Sequence, residues 1–246
     1  MRSAERTMML TGASRGIGHA TVKLFHDHGW RVLTVSRQPF DTACPWPGGA
    51  ENHLQCDLAK PDTYDRLITA VRARVGSRGL DALVNNAGIS PKGPARGRLG
   101  TLETDYGTWV DVLNVNLIST AMLARGLFEE LKTAGGSIVN VTSIVGSRVH
   151  PFAGAAYACS KAALAALTRE QAHEFGPHGV RANAIAPGEI DTAILSPGTQ
   201  VIVDSQIPMK RLGDPEEVAR TIMFLCSSDA AYINGAELHI NGGQHT

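Results

Sequence analysis

An α/β fold with a doubly wound parallel sheet is predicted by three features of this chain. Strand-like apolar runs alternate with helical patterns along its whole length. Those runs are near-continuously apolar rather than alternating, as expected of strands covered on both faces. The first of them leads into a glycine-rich turn that opens a helix.

Taken in order, TMML (7–10) is the first strand, and IGHATVKLFHDHG (17–29) is a helix stopped by Gly29. RVLTVS (31–36) and NHLQCD (52–57) are the second and third strands. Pro61 sits near the start of a helix over 62–75, where its missing N–H matters little. DALVNN (81–86) is the fourth strand, followed by a long apolar helix over 105–133. GSIVNVTS (136–143) is the fifth strand, 155–175 a helix, and VRANAIAP (180–187) the sixth strand. DPEEVARTIMFLCS (214–227) is a helix with Asp214 as N-cap and Pro215 in the first position. AELHI (236–240) closes a sheet of about seven strands, with helices on both faces. CPWPGG (44–49) reads as a surface loop. No internal repeat or low-complexity tract interrupts what we expect to be one domain over 1–246.

Composition excludes some functions. With 246 residues, 43% hydrophobic and 19% charged, the chain can bury a full core. A formal net charge of zero offers no basic field for nucleic acid or a membrane surface. No stretch approaches the roughly 18–20 apolar residues that span a bilayer. The N-terminal apolar run is too short for a signal peptide. Cys44, Cys56, Cys159 and Cys226 are scattered without a CxxC pair, so they are expected to be reduced thiols of a cytoplasmic protein. The nine histidines show no ligand spacing, and no metal site is expected.

TGASRGIG (11–18) lies between a strand and a helix, where a phosphate-binding loop belongs. Gly12, Gly16 and Gly18 would let the backbone approach a pyrophosphate at the helix N-terminus. The alternative is an ordinary tight turn, since the spacing is not GxGxxG. An NAD site usually carries an acid at the end of the second strand. Here Ser36 and Arg37 stand there, with Arg15 in the loop, which suits a ribose 2′-phosphate and favours NADP(H) over NAD(H). YACSK (157–161) places Tyr157 and Lys161 one helical turn apart. A nearby ammonium should lower the phenol's pKa from about 10. The alternative is a surface pair on a helix.

With these motifs and NNAG (85–88), NVNL (114–117), VTSIVGS (141–147) and APGEIDT (186–192) in order, the chain resembles the short-chain dehydrogenase/reductase (SDR) family over essentially all its length. The resemblance implies a Rossmann-type sheet. It also implies that Tyr157 is the general acid/base and that Ser143 hydrogen-bonds the substrate oxygen. Lys161 would tune the tyrosine and hold the nicotinamide ribose, and Asn116 would anchor a proton-relaying water. For the cofactor, Ser14 and Ile17 belong to the glycine loop, Asp57 and Leu58 flank the adenine, and Asn86, Ala87 and Gly88 line the ribose. Pro187, Gly188, Ile190 and Thr192 border the nicotinamide. The reaction expected is an NADP(H)-dependent interconversion of a carbonyl and a secondary alcohol.

The substrate is less legible. The segment 188–213 lacks aromatics and is expected to hold a small closing helix, with Ile190, Ile194, Leu195, Val201, Ile202 and Met209 as its apolar members; this suggests a small or medium substrate. Glu189 departs from the apolar residue many relatives carry there, and it could bind a substrate hydroxyl or amine. Arg148 and His150 could face the pocket, while Lys92, Arg96 and Arg98 make a cationic loop. A 3-oxoacyl-carrier-protein reductase is an alternative, weakened by Glu129, Glu130 and His173 where a basic docking surface would be needed. A non-catalytic dinucleotide-binding sensor is another. Val110, Leu113, Leu117, Ala121 and Leu127 on one helix, and Ala162, Leu164, Ala165 and Leu167 on the next, exceed one apolar stripe. The resemblance implies that these helices pair across a twofold axis in a homotetramer, or failing that a dimer.

Overall fold

The computed structural model describes residues 6–41, 49–93, 97–192, 195 and 198–246. The CPWPGG loop therefore lies almost wholly outside the described residues, as do Cys44, Arg96 and Ile194. The sheet has seven strands, all parallel, in the order β3-β2-β1-β4-β5-β6-β7. They are β1 (Thr7–Thr11), β2 (Arg31–Ser36), β3 (His53–Gln55), β4 (Ala82–Asn85), β5 (Ser137–Val141), β6 (Arg181–Pro187) and β7 (Glu237–Ile240). The order reverses between β1 and β4, and that switch point opens a crevice at the carboxyl ends of the strands.

Successive strand residues face opposite layers, so β1 feeds both. Met8 and Leu10 pack with Val22 and Phe25 of α1 (Gly16–Asp27) and with Val218, Ile222 and Leu225 of α8 (Pro215–Leu225). Met9 packs on the other side with Leu67, Ile68 and Val71 of α2 (Tyr64–Val75), Leu123 of α4 (Ser119–Gly126) and Phe175 of α6 (Ala155–Phe175). No helix among the described residues is long and apolar enough to cross a membrane.

The long helix expected over 105–133 is instead a broken run. It comprises α3 (Tyr106–Leu113), a π-helical turn over Asn114–Ile118, α4, and α5 (Phe128–Ala134). The π turn carries Asn116, whose amide brackets the backbone of Ile89: Oδ1 accepts from its N–H at 2.8 Å and Nδ2 donates to its carbonyl at 3.0 Å. At the second break Arg72 of α2 donates to the carbonyl of Gly126 at 2.6 Å, and Leu127 leaves helical geometry with φ −109° and ψ 14°. The third strand is also shorter than expected, and the helix expected over 62–75 begins with a 3₁₀ turn at Pro61–Thr63.

Candidate active site

The glycine loop is shaped by its own backbone. Gly12 has φ +76°, and a Cβ on Gly18 would lie 2.0 Å from the Gly12 carbonyl oxygen, so α1 can start this close to β1 only with glycine at 18. Asn86 locks the loop by donating from Nδ2 to the carbonyls of Thr11, at 3.1 Å, and Gly12, at 2.9 Å. Arg15 is the N-cap of α1 but makes no side-chain cap, and the first turn carries no acid. The leading N–H groups thus remain available to an anion.

A cavity of about 470 Å³ joins this loop to the ends of β4, β5 and β6. Its wall brings together Gly12, Ser14, Arg15, Gly16 and Ile17 with Ser36, Arg37 and Leu58. Asn86, Ala87 and Gly88 follow, then Ser143, Tyr157 and Lys161, and finally Pro187, Gly188, Ile190 and Thr192. Three expected site residues are not on this wall. Gly18 is buried in the turn. Asp57 caps its own loop, with Oδ1 accepting from the N–H of Ala59 at 3.1 Å. Asn116 stands behind Ile89 and donates to Ser160 Oγ at 3.0 Å. A Cβ built on Gly88 would lie 3.4 Å from Lys161 Nζ and 3.6 Å from Asn116 Oδ1, so those two groups flank the wall at one point.

Tyr157 and Lys161 share a face of α6, and Ser143 caps the turn after β5, near enough to the Tyr157 hydroxyl to act on its pKa. The Tyr157 pKa runs opposite to the sequence expectation. Burial raises it, the Ser143 hydrogen bond lowers it, and the negative charge of Glu189 raises it again. Lys161 reaches the end of β5. Its Nζ lies 5.6 Å from the Tyr157 ring centroid and donates to the carbonyl of Val141 at 2.6 Å. Desolvation brings the Lys161 pKa down to about 8.

Glu189 and His150 meet inside the cavity, with His150 Nε2 2.8 Å from Glu189 Oε1 and both side chains nearly sealed from solvent. The contact is close but lacks aligned hydrogen-bond geometry. Arg148 turns away, donating to the carbonyl of Gln244 and to Gln206 Oε1. Lys92 lines the cavity and donates to the carbonyl of Phe152, whereas Arg98 is engaged by the carbonyl of Ala153. Glu130 pairs with Arg72 at 3.0 Å and Glu129 with Lys132 at 3.6 Å. Thr199, on α7 (Thr199–Gln206), reaches the wall together with Leu195.

Sequence reasoning missed Val35, Cys56, Phe152 and Thr199 on this wall. The first two sit at the carboxyl ends of β2 and β3, where the switch-point rule would have found them. Phe152 and Thr199 carry no motif.

The wall fits an extended dinucleotide. It offers a glycine cradle at an uncapped helix N-terminus, two guanidiniums and, among the described residues of the wall, no carboxylate beside Ser36, and a hydroxyl pair at the far end.

Comparison with known proteins agrees with this geometry. Residues 12–245 match the family model described as Enoyl-(Acyl carrier protein) reductase. The chain is 57% identical over 245 residues to Protein FixR of Bradyrhizobium diazoefficiens, covering 99% of this chain and 88% of that one. It is 34% identical over 247 residues to the 3-oxoacyl-(acyl-carrier-protein) reductase FabG of Vibrio cholerae, covering 98% and 97%. An oxidoreductase of the short chain dehydrogenase/reductase family from Brucella ovis, solved in complex with a partially ordered NAD, superposes with a TM-score of 0.84 at 54% identity, covering 97% of this chain and 100% of that one.

Proposed function

We infer the reaction from one premise: the chain belongs to the short-chain dehydrogenase/reductase family and is an oxidoreductase. It interconverts a carbonyl and a secondary alcohol on a small or medium substrate. The observation that carries this reading is the Ser143–Tyr157 hydroxyl pair, with Lys161 one turn on, on the same wall as the glycine loop.

A nicotinamide dinucleotide bound along that wall supplies or accepts the hydride. The chain's own groups do the rest. Ser143 and Tyr157 hold the substrate oxygen between two donors, which stabilises the negative charge that builds there. Tyr157 gives its Oη proton to that oxygen in reduction and takes one back in oxidation. Burial and Glu189 keep the phenol protonated, which suits donation. Lys161 places a cation behind Tyr157 and faces the ribose region at Gly88. Asn116, flanking the same point, anchors a water that returns protons from Lys161 to solvent. The segment 188–213 closes the substrate side through α7.

Arg15 and Arg37 beside Ser36 favour NADP(H) over NAD(H). The Brucella ovis relative was solved with NAD, so the two must be compared directly. The protein works in the cytoplasm as a homotetramer or a dimer.

A second reading follows from the 34% identity to FabG: reduction of a 3-oxoacyl thioester on a carrier protein. A third, a dinucleotide-binding sensor, would need no proton donor. Mixing purified protein with NADPH or NADH and a panel of ketones, aldehydes and acetoacetyl thioester separates them. Turnover of at least one small carbonyl compound of the panel, at least tenfold better with NADPH and reduced about 10³-fold or more in Tyr157→Phe, is expected. Cofactor binding with no oxidation of the cofactor by any compound of the panel would leave the sensor reading standing.

A further inference from the structure

Glu189 follows Gly188 directly at the end of β6, and its backbone carbonyl accepts from the N–H of Gly213 at 2.9 Å. That bond anchors the backbone at this point, and the Glu189 side chain is 11% exposed. His150 reaches it from the loop between Ser143 and Tyr157, and its own side chain is 7% exposed. Nδ1 accepts from the N–H of Phe152 at 3.3 Å, and Nε2 lies 2.8 Å from Glu189 Oε1 without aligned hydrogen-bond geometry. The imidazole engages Oε1 alone. A carboxylate has about four acceptor positions, and no protein donor reaches the second oxygen among the described residues. Lys161 directs its ammonium group at the carbonyl of Val141. Glu189 and His150 line the same cavity as Ser143 and Tyr157, and the negative charge of Glu189 raises the Tyr157 pKa.

We propose that Glu189, held by His150, selects the substrate: its second oxygen accepts a hydrogen bond from a hydroxyl or ammonium group carried next to the reacting carbon. The inference rests on Ser143 and Tyr157 holding the reacting oxygen. An apolar substrate would leave a shielded carboxylate oxygen without a partner, and an anionic one would meet a like charge. Sites built to pair with a substrate donor reject analogues lacking it strongly. We therefore assign the substrates to hydroxy or amino carbonyl compounds and their vicinal diols or amino alcohols. Simple ketones and oxo acids are disfavoured.

The test uses four alcohols that cannot react with reduced cofactor: cyclohexanol, trans-1,2-cyclohexanediol, trans-2-aminocyclohexanol and trans-2-hydroxycyclohexanecarboxylate. Each is titrated into the protein–NADPH complex, and the dissociation constant is read from NADPH fluorescence. The wild-type protein should bind the diol or the amino alcohol about tenfold or more tighter than cyclohexanol, and the hydroxy acid most weakly. Glu189→Leu should bring the ratio to within about threefold. Glu189→Gln keeps an acceptor without the charge, so a retained diol preference identifies a hydroxyl and a lost amino-alcohol preference identifies an ammonium. Circular dichroism confirms that each variant is folded. Equal binding of diol and monoalcohol by the wild-type protein, preference for the acid, an unchanged ratio in Glu189→Leu, or no binding by the donor-bearing pair overturns the assignment. Failure of the cofactor reading shows separately as absent NADPH fluorescence enhancement; the same series is then read by thermal shift on the free protein, with the same outcomes deciding.

Discussion

Lys161 buries a whole side chain with its ammonium on the carbonyl of Val141. Its pKa falls from 10.5 to about 8 because burial disfavours the charged form. The unfolded chain therefore binds the proton more tightly than the folded one between those values. The penalty is fully present below pH 8, shrinks as pH rises toward 10.5, and is absent above it. A depression of that size corresponds to about 3 kcal/mol. Lys161→Met should thus abolish turnover yet raise stability at pH 7 by about 1–3 kcal/mol, and the gain should vanish above pH 10.5. Urea melts of both proteins at pH 7 and 10.5 measure this, and a destabilised variant at pH 7 would show that the charge is compensated. Tyr157 differs in sign: its raised pKa keeps the hydroxyl protonated through neutral pH. Oxidation of an alcohol, which needs the phenolate, should accelerate with rising pH while reduction does not, and paired pH–rate profiles in the two directions check it.

At the scale of elements, local signals served where the chain's own neighbours decide geometry. Asp214 accepts from the N–H of Glu216 at 2.8 Å, and the Glu217 carboxylate returns a bond to the Asp214 N–H at 2.8 Å, completing a capping box that Asp214 and Pro215 already announce. Asp214→Ala should destabilise the protein by about 1 kcal/mol in urea unfolding with kcat unaltered. The run 105–133 opens on a like signal, the Asp105 N-cap, but its interior breaks have none. Its breaks are set by Arg72, which lies 54 residues from Gly126, and by Ile89, which lies 27 residues from Asn116. The seat of α6 is equally remote from its own periodicity. Asn140 of β5 accepts from Asn85 of β4 and donates to Thr168 and Gln171 of α6, all buried at 2.9 Å. Those bonds join the helix that carries Tyr157 and Lys161 to the middle of the sheet.

For the whole molecule, the exposed remainder of α3, α4 and α6 points to assembly. Leu113, Leu117, Ala121, Ala165 and Leu167 stay partly exposed, while Leu127 and Leu164 are buried within the chain. If these residues pack on a second copy of the chain, a charge placed there would weaken the association. Light scattering should give a dimer or tetramer for the wild-type protein and a smaller species for Leu113→Glu combined with Leu167→Glu; a wild-type monomer at micromolar concentration would refute the assembly.

The strand and helix alternation, the parallel sheet, the glycine turn and the Tyr157–Lys161 face were determined by the sequence alone, because each depends on residues within a turn or two of one another. Tertiary structure decided the direction of the Tyr157 and Lys161 pKa shifts, the withdrawal of Asp57 and Asn116 from the cavity wall, and the meeting of His150 with Glu189. Desolvation and long-range pairing arise only when separate strands and helices close over the same volume, so no local pattern records them.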